Sequence, residues 1–156
     1  MPSRHSFVAI FAISLLAALV GCAGAKPRPA GHAVGVRAAA IAASQVGTPY
    51  RYGGSSPAGF DCSGLVLYSY ARAGLRGLPH SAAALEQRAR AVPLAELAPG
   101  DLLFFTLEGK KTSHVAIYLG DRTFVHAPSA GRHVETVGFA HNHWGPRIHR
   151  AGRLAP

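Results

Sequence analysis

The side chains in this sequence that could carry nucleophilic chemistry are one thiol and a set of histidines. The chain has two cysteines, and Cys62 lies in the segment FDCSGLV at 60–66. The other, Cys22, ends an apolar N-terminal stretch of signal-peptide type. A single remaining thiol at the start of an apolar helical segment, with histidines further along the chain, indicates a cysteine nucleophile. We therefore expect an enzyme.

Two local features favour the thiolate, which is the reactive form of Cys62. Asp61 is a good helix N-cap and Gly74 a natural C-terminal stop, so Cys62 falls in the first turn of a helix. The unpaired N–H groups and the positive dipole end at that position stabilise an anion. A neighbouring imidazole can also form an ion pair with the sulfur. We therefore expect the charged form of this thiol to be favoured.

His114 and His126 are the candidate partners of the thiol. His114 opens the strand-like segment 114–119, and His126 lies near the end of the segment 123–127. A three-residue loop at 120–122 would pair Leu119 with Thr123, and both histidines would then share a face as diagonal neighbours. A two-residue loop would put them on opposite faces. With the longer loop, His114 can act as a base while His126 bonds its other ring nitrogen and fixes its tautomer.

The elements that must position these residues change character along the chain. The Ala-rich segment 36–45 predicts a helix, 50–59 is a glycine-rich loop, and the Cys62 helix follows. A third helix is predicted from Ala82 to Arg90, with Ser81 as its cap. Strands are predicted afterwards at 102–107, 114–119, 123–127 and 133–137, with a candidate edge strand at 147–150. Helices first and strands later predict an α+β fold, with N-terminal helices packed on a C-terminal antiparallel sheet.

The N-terminus predicts export and a lipid anchor. Residues 7–20 are apolar apart from Ser14, which suits a signal-peptide core better than a membrane span. The run ends in LVGC at 19–22, which resembles a bacterial lipobox in which Cys22 is acylated. We predict a signal peptide at 1–21, a lipidated Cys22 with a tether to residue 35, and a catalytic domain at 36–156. The alternative is an ordinary secretory signal, cleaved near Ala23 or Ala25.

The charge of the chain indicates polyanionic surroundings. The net charge is +9, and loss of Arg4 with residues 1–21 lowers it to +8. We expect no nucleic-acid partner, because no recognition helix or aromatic-interleaved basic groove is evident. Acidic cell-envelope polymers are the expected surroundings. The absence of an acid after Cys22 points, by resemblance to envelope lipoproteins, to an outer membrane facing the periplasm if the source is Gram-negative.

Several motifs occur in a characteristic order along the mature chain. They are PYRYGG at 49–54, DCSGLV at 61–66, PGDLLFF at 99–105, HVAIYLG at 114–120 and FVHA at 124–127. In this order and at this spacing the chain closely resembles the NlpC-type cell-wall cysteine peptidases, over about residues 36–153. The resemblance implies a papain-like α+β fold and a monomer without cofactors that acts on peptidoglycan stem peptides.

The resemblance also implies roles for individual residues. The catalytic Cys, His and third polar residue of the family match Cys62, His114 and His126. Tyr50 matches a tyrosine thought to help hold the oxyanion. Asp61 and Ser63 match positions implicated in gripping the stem peptide, although Asp61 could serve only as a cap. The bond implied is either that between γ-D-glutamate and the diamino acid or the D,D cross-link.

One departure from the family pattern and several alternatives remain at this point. His80 stands where many relatives carry Arg after a proline, which changes one wall of the expected groove. The pair His141 and His143 has metal-like spacing, but no carboxylate lies nearby, so we predict a solvated loop and no metal. The alternative functions are an envelope amidase or acyl transferase that uses the same triad, and a catalytically silent peptidoglycan-binding lipoprotein.

Overall fold

The computed structural model describes residues 30–107, 109, 111–141 and 143–155. The predicted signal peptide, the lipobox cysteine and the first part of the tether lie outside these residues. The α-helices are α1 (Ala30–Ala43), α2 (Cys62–Ala73) and α3 (Ala82–Arg88). None of the helices in the described ranges has the length and apolar character needed to cross a membrane.

The main sheet has six strands in the order β3-β8-β4-β5-β6-β7, and every neighbouring pair is antiparallel. The strands are β3 (Arg90–Ala91), β4 (Leu102–Phe105), β5 (His114–Gly120), β6 (Thr123–His126), β7 (Glu135–Gly138) and β8 (Ile148–Arg153). A separate two-stranded ribbon, β1 (Ser55–Ser56) with β2 (Gly59–Phe60), precedes α2. Short 3₁₀ turns occur at Leu94–Glu96 and Gly145–Arg147. The predicted α+β architecture is confirmed.

Apolar side chains fill both faces of the sheet. On one face the helices pack on Phe104, Val115 and Ile117. On the other face a second cluster, which includes Phe105 and Trp144, covers the sheet. Residues of β4 are buried along its whole length and contribute alternately to the two clusters, which follows from the period of two in a strand. The central strands are therefore covered on both sides.

The C-terminal strand differs from its prediction. It covers Ile148–Arg153 and is not the edge, because β3 pairs with its outer side through Arg90 and Arg153. The first residue of β3, Arg90, falls at the end of the predicted third helix, whereas the last residue of α3 is Arg88. A strand as short as β3 carries too little periodicity to be recognised from sequence.

Helix α1 begins at Ala30, six residues before its predicted start, so 30–35 of the predicted tether are helical. Gly35 discouraged the longer helix, because glycine destabilises a helix interior. Its small size has a packing use, since a Cβ there would come within 3.3 Å of the carbonyl oxygen of Pro99. The space around the neighbouring Gly100 is tighter, because a Cβ on that residue would come within 2.2 Å of the Gly35 backbone. This close packing outweighs the low helix propensity of Gly35.

Candidate active site

The first turn of α2 presents Cys62 at the wall of a groove. Asp61 caps the helix as predicted and accepts a hydrogen bond from the Gly64 N–H, and Gly74 ends the helix in the left-handed conformation. Gly64 is required here, because a Cβ on it would come within 1.9 Å of the carbonyl oxygen of Gly54. The residues of DCSG therefore start the helix and let the preceding loop pack against it.

The groove contains the predicted residues Tyr50, Asp61 and Ser63 beside Cys62, whereas His114 and His126 do not line it. It is lined by Tyr50, Tyr52, Gly53, Asp61, Cys62, Ser63, His80, Ser81, Ala82 and Ser113. A larger cavity lies on the other side of the histidine pair and contains Glu135, Arg132 and Trp144, but not Cys62. The smaller groove contains the only free thiol among the described residues.

The environment of Cys62 acts against the charge predicted from the helix position. Burial raises the pKa of the thiol above its ordinary value, and the negative charge of Asp61 raises it further. The backbone N–H groups of Val115, Ser63 and Cys62 itself lower the pKa and only partly offset the burial. The expectation of a favoured thiolate is therefore wrong for the free protein. The contact with the Val115 N–H also places the sulfur beside the backbone of the residue that follows His114.

His114 and His126 form a buried pair. His114 Nε2 lies 2.8 Å from His126 Nδ1, and the two rings are nearly perpendicular. Burial, followed by the neighbouring His126, lowers the pKa of His114 to about 3. Burial lowers the pKa of His126 to about 3 as well, with smaller contributions from Arg132 and His141. Both imidazoles are therefore neutral near pH 7. The predicted diagonal contact between the two residues is confirmed.

The turn that joins the two histidine strands differs from its prediction. Gly120, not Leu119, pairs with Thr123, so only Asp121 and Arg122 form the turn, with φ of 48° and 55°. Such a turn alone would place the histidines on opposite faces. A register shift between Tyr118 and Gly120 restores the predicted parity.

Trp144 and Glu135 are site residues that the sequence analysis missed. The ring of Trp144 packs at 4.4 Å from that of His126 and at 5.1 Å from that of His114, between centroids. Trp144 is itself buried and covers both imidazoles with apolar surface. Glu135 Oε1 lies 3.4 Å from His126 Nε2. Glu135 starts the strand paired with β6 and is directly opposite His126, a register that a confident β6–β7 hairpin assignment could have revealed.

Asp61 is the most heavily used carboxylate of the groove. Its Oδ1 accepts hydrogen bonds from the Gly64 N–H and the Ser63 hydroxyl, and its Oδ2 accepts one from the Gly53 N–H. His80 Nε2 lies 3.0 Å and 3.1 Å from the two oxygens. Burial acts to raise the pKa of Asp61, but these hydrogen bonds outweigh it and hold the pKa below its ordinary value. His80, the residue at which the sequence departs from the family pattern, is thus in direct contact with Asp61.

Tyr50 and Ser63 line the same groove as the thiol. Burial raises the pKa of the Tyr50 hydroxyl, and the charges of Cys62 and Asp61 raise it further. Tyr50 is held by backbone bonds to Arg132 and by a bridge to Phe60. A protonated tyrosine beside a thiol can donate a hydrogen bond to a developing oxyanion.

The remaining histidines do not form a shared metal site. Within the described ranges no three His, Cys, Asp or Glu side chains are arranged to bind a metal. His141 and His143 are exposed, and the carbonyl of His143 accepts a hydrogen bond from Arg147. His149 lies instead 3.1 Å from Glu86.

Three comparisons relate these features to known proteins. The model of the NlpC/P60 family matches residues 47–153. A probable endopeptidase of Mycobacterium tuberculosis is 46% identical over 96 residues, which cover 62% of this chain and 24% of the relative. Murein DD-endopeptidase MepH of Escherichia coli is 39% identical over 104 residues, which cover 64% of this chain and 38% of the relative.

A solved structure extends the comparison to the fold. The NlpC/p60 domain of peptidoglycan hydrolase SagA is 33% identical with a TM-score of 0.66. The alignment covers 76% of this chain and 97% of that domain. The chain thus spans less than two fifths of the length of the two curated relatives and nearly all of the solved domain.

Proposed function

The chain belongs to the NlpC/P60 family, and from that premise we propose that it is a peptidoglycan endopeptidase with a Cys62-His114-His126 triad. The observation that carries the proposal is the 2.8 Å contact between His114 and His126, next to the strand backbone that touches the Cys62 sulfur. A base oriented by a second side chain and a thiol at a groove wall are the parts that nucleophilic acyl transfer requires.

The protonation states favour proton transfer at the moment of attack. The thiol pKa is raised and the His114 pKa is lowered, so the free enzyme holds a neutral thiol beside a neutral imidazole. When a stem peptide enters the groove, the His114 Nδ1 takes the thiol proton as sulfur attacks the scissile carbonyl carbon. His126 accepts a hydrogen bond from His114 Nε2–H and stabilises the imidazolium.

The tetrahedral intermediate and its breakdown use the same residues. The backbone N–H of Cys62 and the Tyr50 hydroxyl donate to the oxyanion. The C–N bond then breaks, and the leaving amine takes the proton from His114, which leaves a thioester on Cys62. Water attacks the thioester carbonyl carbon while His114 accepts its proton. The C–S bond then breaks, the proton passes from His114 to the sulfur, and the products are the free thiol and a carboxylic acid that ionises in solution.

The groove accounts for recognition of the stem peptide. Ser63 and Asp61 flank the thiol, and His80 forms the opposite wall against Asp61. The name of the Escherichia coli relative, a murein DD-endopeptidase, supports the D,D cross-link as one candidate bond. The bond between γ-D-glutamate and the diamino acid is the other, and both place a peptide carbonyl at the sulfur.

We place the enzyme in the cell envelope, anchored through acylated Cys22. The support is the apolar run at 7–20 and the sequence LVGC at 19–22. Only the seven residues 23–29 separate Cys22 from the start of α1 at Ala30. A tether of that length keeps the start of α1 within about 25 Å of the membrane surface even when it is extended. The several acyl chains of a lipoprotein would make this attachment stable. We propose that the enzyme acts as a monomer.

The experiment is digestion of purified sacculi followed by mass spectrometry of the released fragments. Endopeptidase activity yields stem fragments cut at a peptide bond within or between stems, with Cys62→Ala as the inactive control. Release of intact stems from the glycan would identify an amidase instead. Binding to sacculi without any new fragment would identify a silent binding protein.

A further inference from the structure

His126 has a buried ring nitrogen that the triad leaves without a partner. Its Nδ1 faces His114, but its Nε2 makes no hydrogen bond to any described residue. The His126 side chain is fully buried, so water is not an easy substitute. Buried polar atoms without partners are uncommon in folded proteins and call for an explanation. Glu135 is the candidate partner of this nitrogen, because its Oε1 lies 3.4 Å away.

Glu135 is held in place from its other side. Both of its carboxylate oxygens lie 2.8 Å from Arg132 Nη2, three residues earlier in the chain. Glu135 is also fixed in register opposite His126 by the β6–β7 ladder. Its side chain is 31% exposed and lines the larger cavity, while one carboxylate oxygen faces the buried ring.

We propose that Glu135 is a positioning residue that fixes the tautomer of His126, and that Arg132 sets its orientation and effective charge. A carboxylate accepts hydrogen bonds and cannot donate one, so Glu135 at 3.4 Å favours the tautomer of His126 that carries its proton on Nε2. Nδ1 of His126 is then an acceptor and must receive the Nε2–H of His114. This leaves the Nδ1 lone pair of His114 as the base for Cys62.

The charged groups around His126 should affect how readily His114 accepts the thiol proton. The titratable and charged groups that face it are His114 on β5, Glu135 on β7, Arg132 before β7 and His141 after it. Phe124 and Trp144 cover the ring with apolar surface. When His114 gains the thiol proton, Glu135 attracts the new charge and Arg132 repels it. Removal of Glu135 should therefore make His114 harder to protonate, and removal of Arg132 should make it easier.

The first test reads the tautomer directly and needs no activity. In ¹⁵N NMR of the histidine rings near pH 7, the wild-type protein should show His126 protonated at Nε2 and unprotonated at Nδ1. Glu135→Gln should weaken this preference, because an amide can either accept or donate. Glu86→Gln is the matched control, since Glu86 also pairs with a histidine and an arginine, His149 and Arg150. A wild-type spectrum with the proton on Nδ1, or one that is unchanged by Glu135→Gln, would overturn the proposal.

The second test rests on the proposed function and follows kcat/KM against pH on a stem peptide. Glu135→Gln should lower kcat by about 10-fold with little change in KM, in the range found for residues that orient a functional histidine from behind. The alkaline limb should move to lower pH in Glu135→Gln and to higher pH in Arg132→Gln. If the alkaline limb moved in the same direction in both variants, or did not move, the proposed roles of Glu135 and Arg132 would be contradicted. A wild-type protein that cuts no stem peptide would defeat the proposed function while the NMR result still decides the tautomer.

Discussion

His114 Nε2 and His126 Nδ1 lie 2.8 Å apart because a bulge corrects the turn between their strands. The two-residue turn at Asp121 and Arg122 would by itself turn the two side chains to opposite faces. The extra residue on β5 before Gly120 shifts the register by one, so the side chains return to the same face. The histidine pair thus depends on backbone geometry as well as on residue identity.

Removing His126 should impair turnover more than binding. Without its ring, His114 loses the acceptor that fixes its tautomer and stabilises its charged form. We expect His126→Ala to lower kcat by about 10² to 10⁴-fold, with KM changed by only a few fold. Steady-state kinetics on a soluble stem peptide measure both constants. A loss confined to KM would show that His126 shapes the groove instead.

The raised pKa of Cys62 predicts an unusual alkylation profile. A preformed thiolate–imidazolium pair would react with iodoacetamide at neutral pH, and the reaction would depend on His114. Here burial raises the thiol pKa above its ordinary value, so the alkylation rate should be low near pH 7 and increase through the alkaline range. His114→Ala should leave this profile largely unchanged. A neutral-pH plateau in the wild-type protein that disappears in His114→Ala would refute the neutral pair.

The buried histidines should make the protein sensitive to acid. Their pKa values of about 3 in the folded chain lie below the ordinary 6.5, so the unfolded chain binds more protons between these two values. The free energy of unfolding should therefore fall as the pH drops from 6.5 towards 3, by up to about 1.4 kcal/mol per pH unit for each histidine. Urea unfolding across this range measures the slope.

The double variant His114→Gln, His126→Gln isolates that effect from the carboxylates. Asp61 has a lowered pKa, so its stabilising contribution is also lost in acid, as the pH falls below its ordinary value. That loss is shared by the wild-type protein and the double variant. The difference between their slopes above pH 4 or so therefore reports the histidines, and equal slopes would contradict their buried neutral state.

Arg153 should be important for stability although it lies outside the groove. Its Nε and Nη2 lie 2.6 Å and 2.7 Å from the two oxygens of Asp101, which is only 2% exposed. This pair ties β8 to the turn before β4. Arg153→Met leaves Asp101 buried without its cation and should cost about 3 kcal/mol. Arg90→Met on the exposed β3 strand should cost less than about 0.5 kcal/mol, and chemical denaturation distinguishes the two.

How much of this site the sequence could predict depends on the distance over which each signal acts. The caps of α2 were predictable, because Asp61 and Gly74 act within one helical turn of their own positions. The parity of the two histidines was also predicted, but from a loop length that the structure does not have. A turn with positive φ at Asp121 and a bulge before it cannot be distinguished by pattern from a longer loop.

Features that depend on distant contacts were not predictable. The early start of α1 follows from its contact with Gly100, about 65 positions away in the chain. The wrong expectation for the Cys62 thiol has a similar cause, since helix position is local and burial is not. Glu135 and Trp144 join the site only through strand register and loop packing, and neither carries a motif that identifies it beforehand.

The most direct test of the catalytic role of Cys62 is the initial rate of stem-peptide cleavage by the wild-type protein and by Cys62→Ala at equal concentration. Circular dichroism should first establish that both are folded. Removal of a catalytic nucleophile costs several orders of magnitude, so we expect the variant to be slower by at least about 10³-fold. A Cys62→Ala variant that cleaves within a few fold of the wild-type rate would contradict the assignment of Cys62 as the nucleophile.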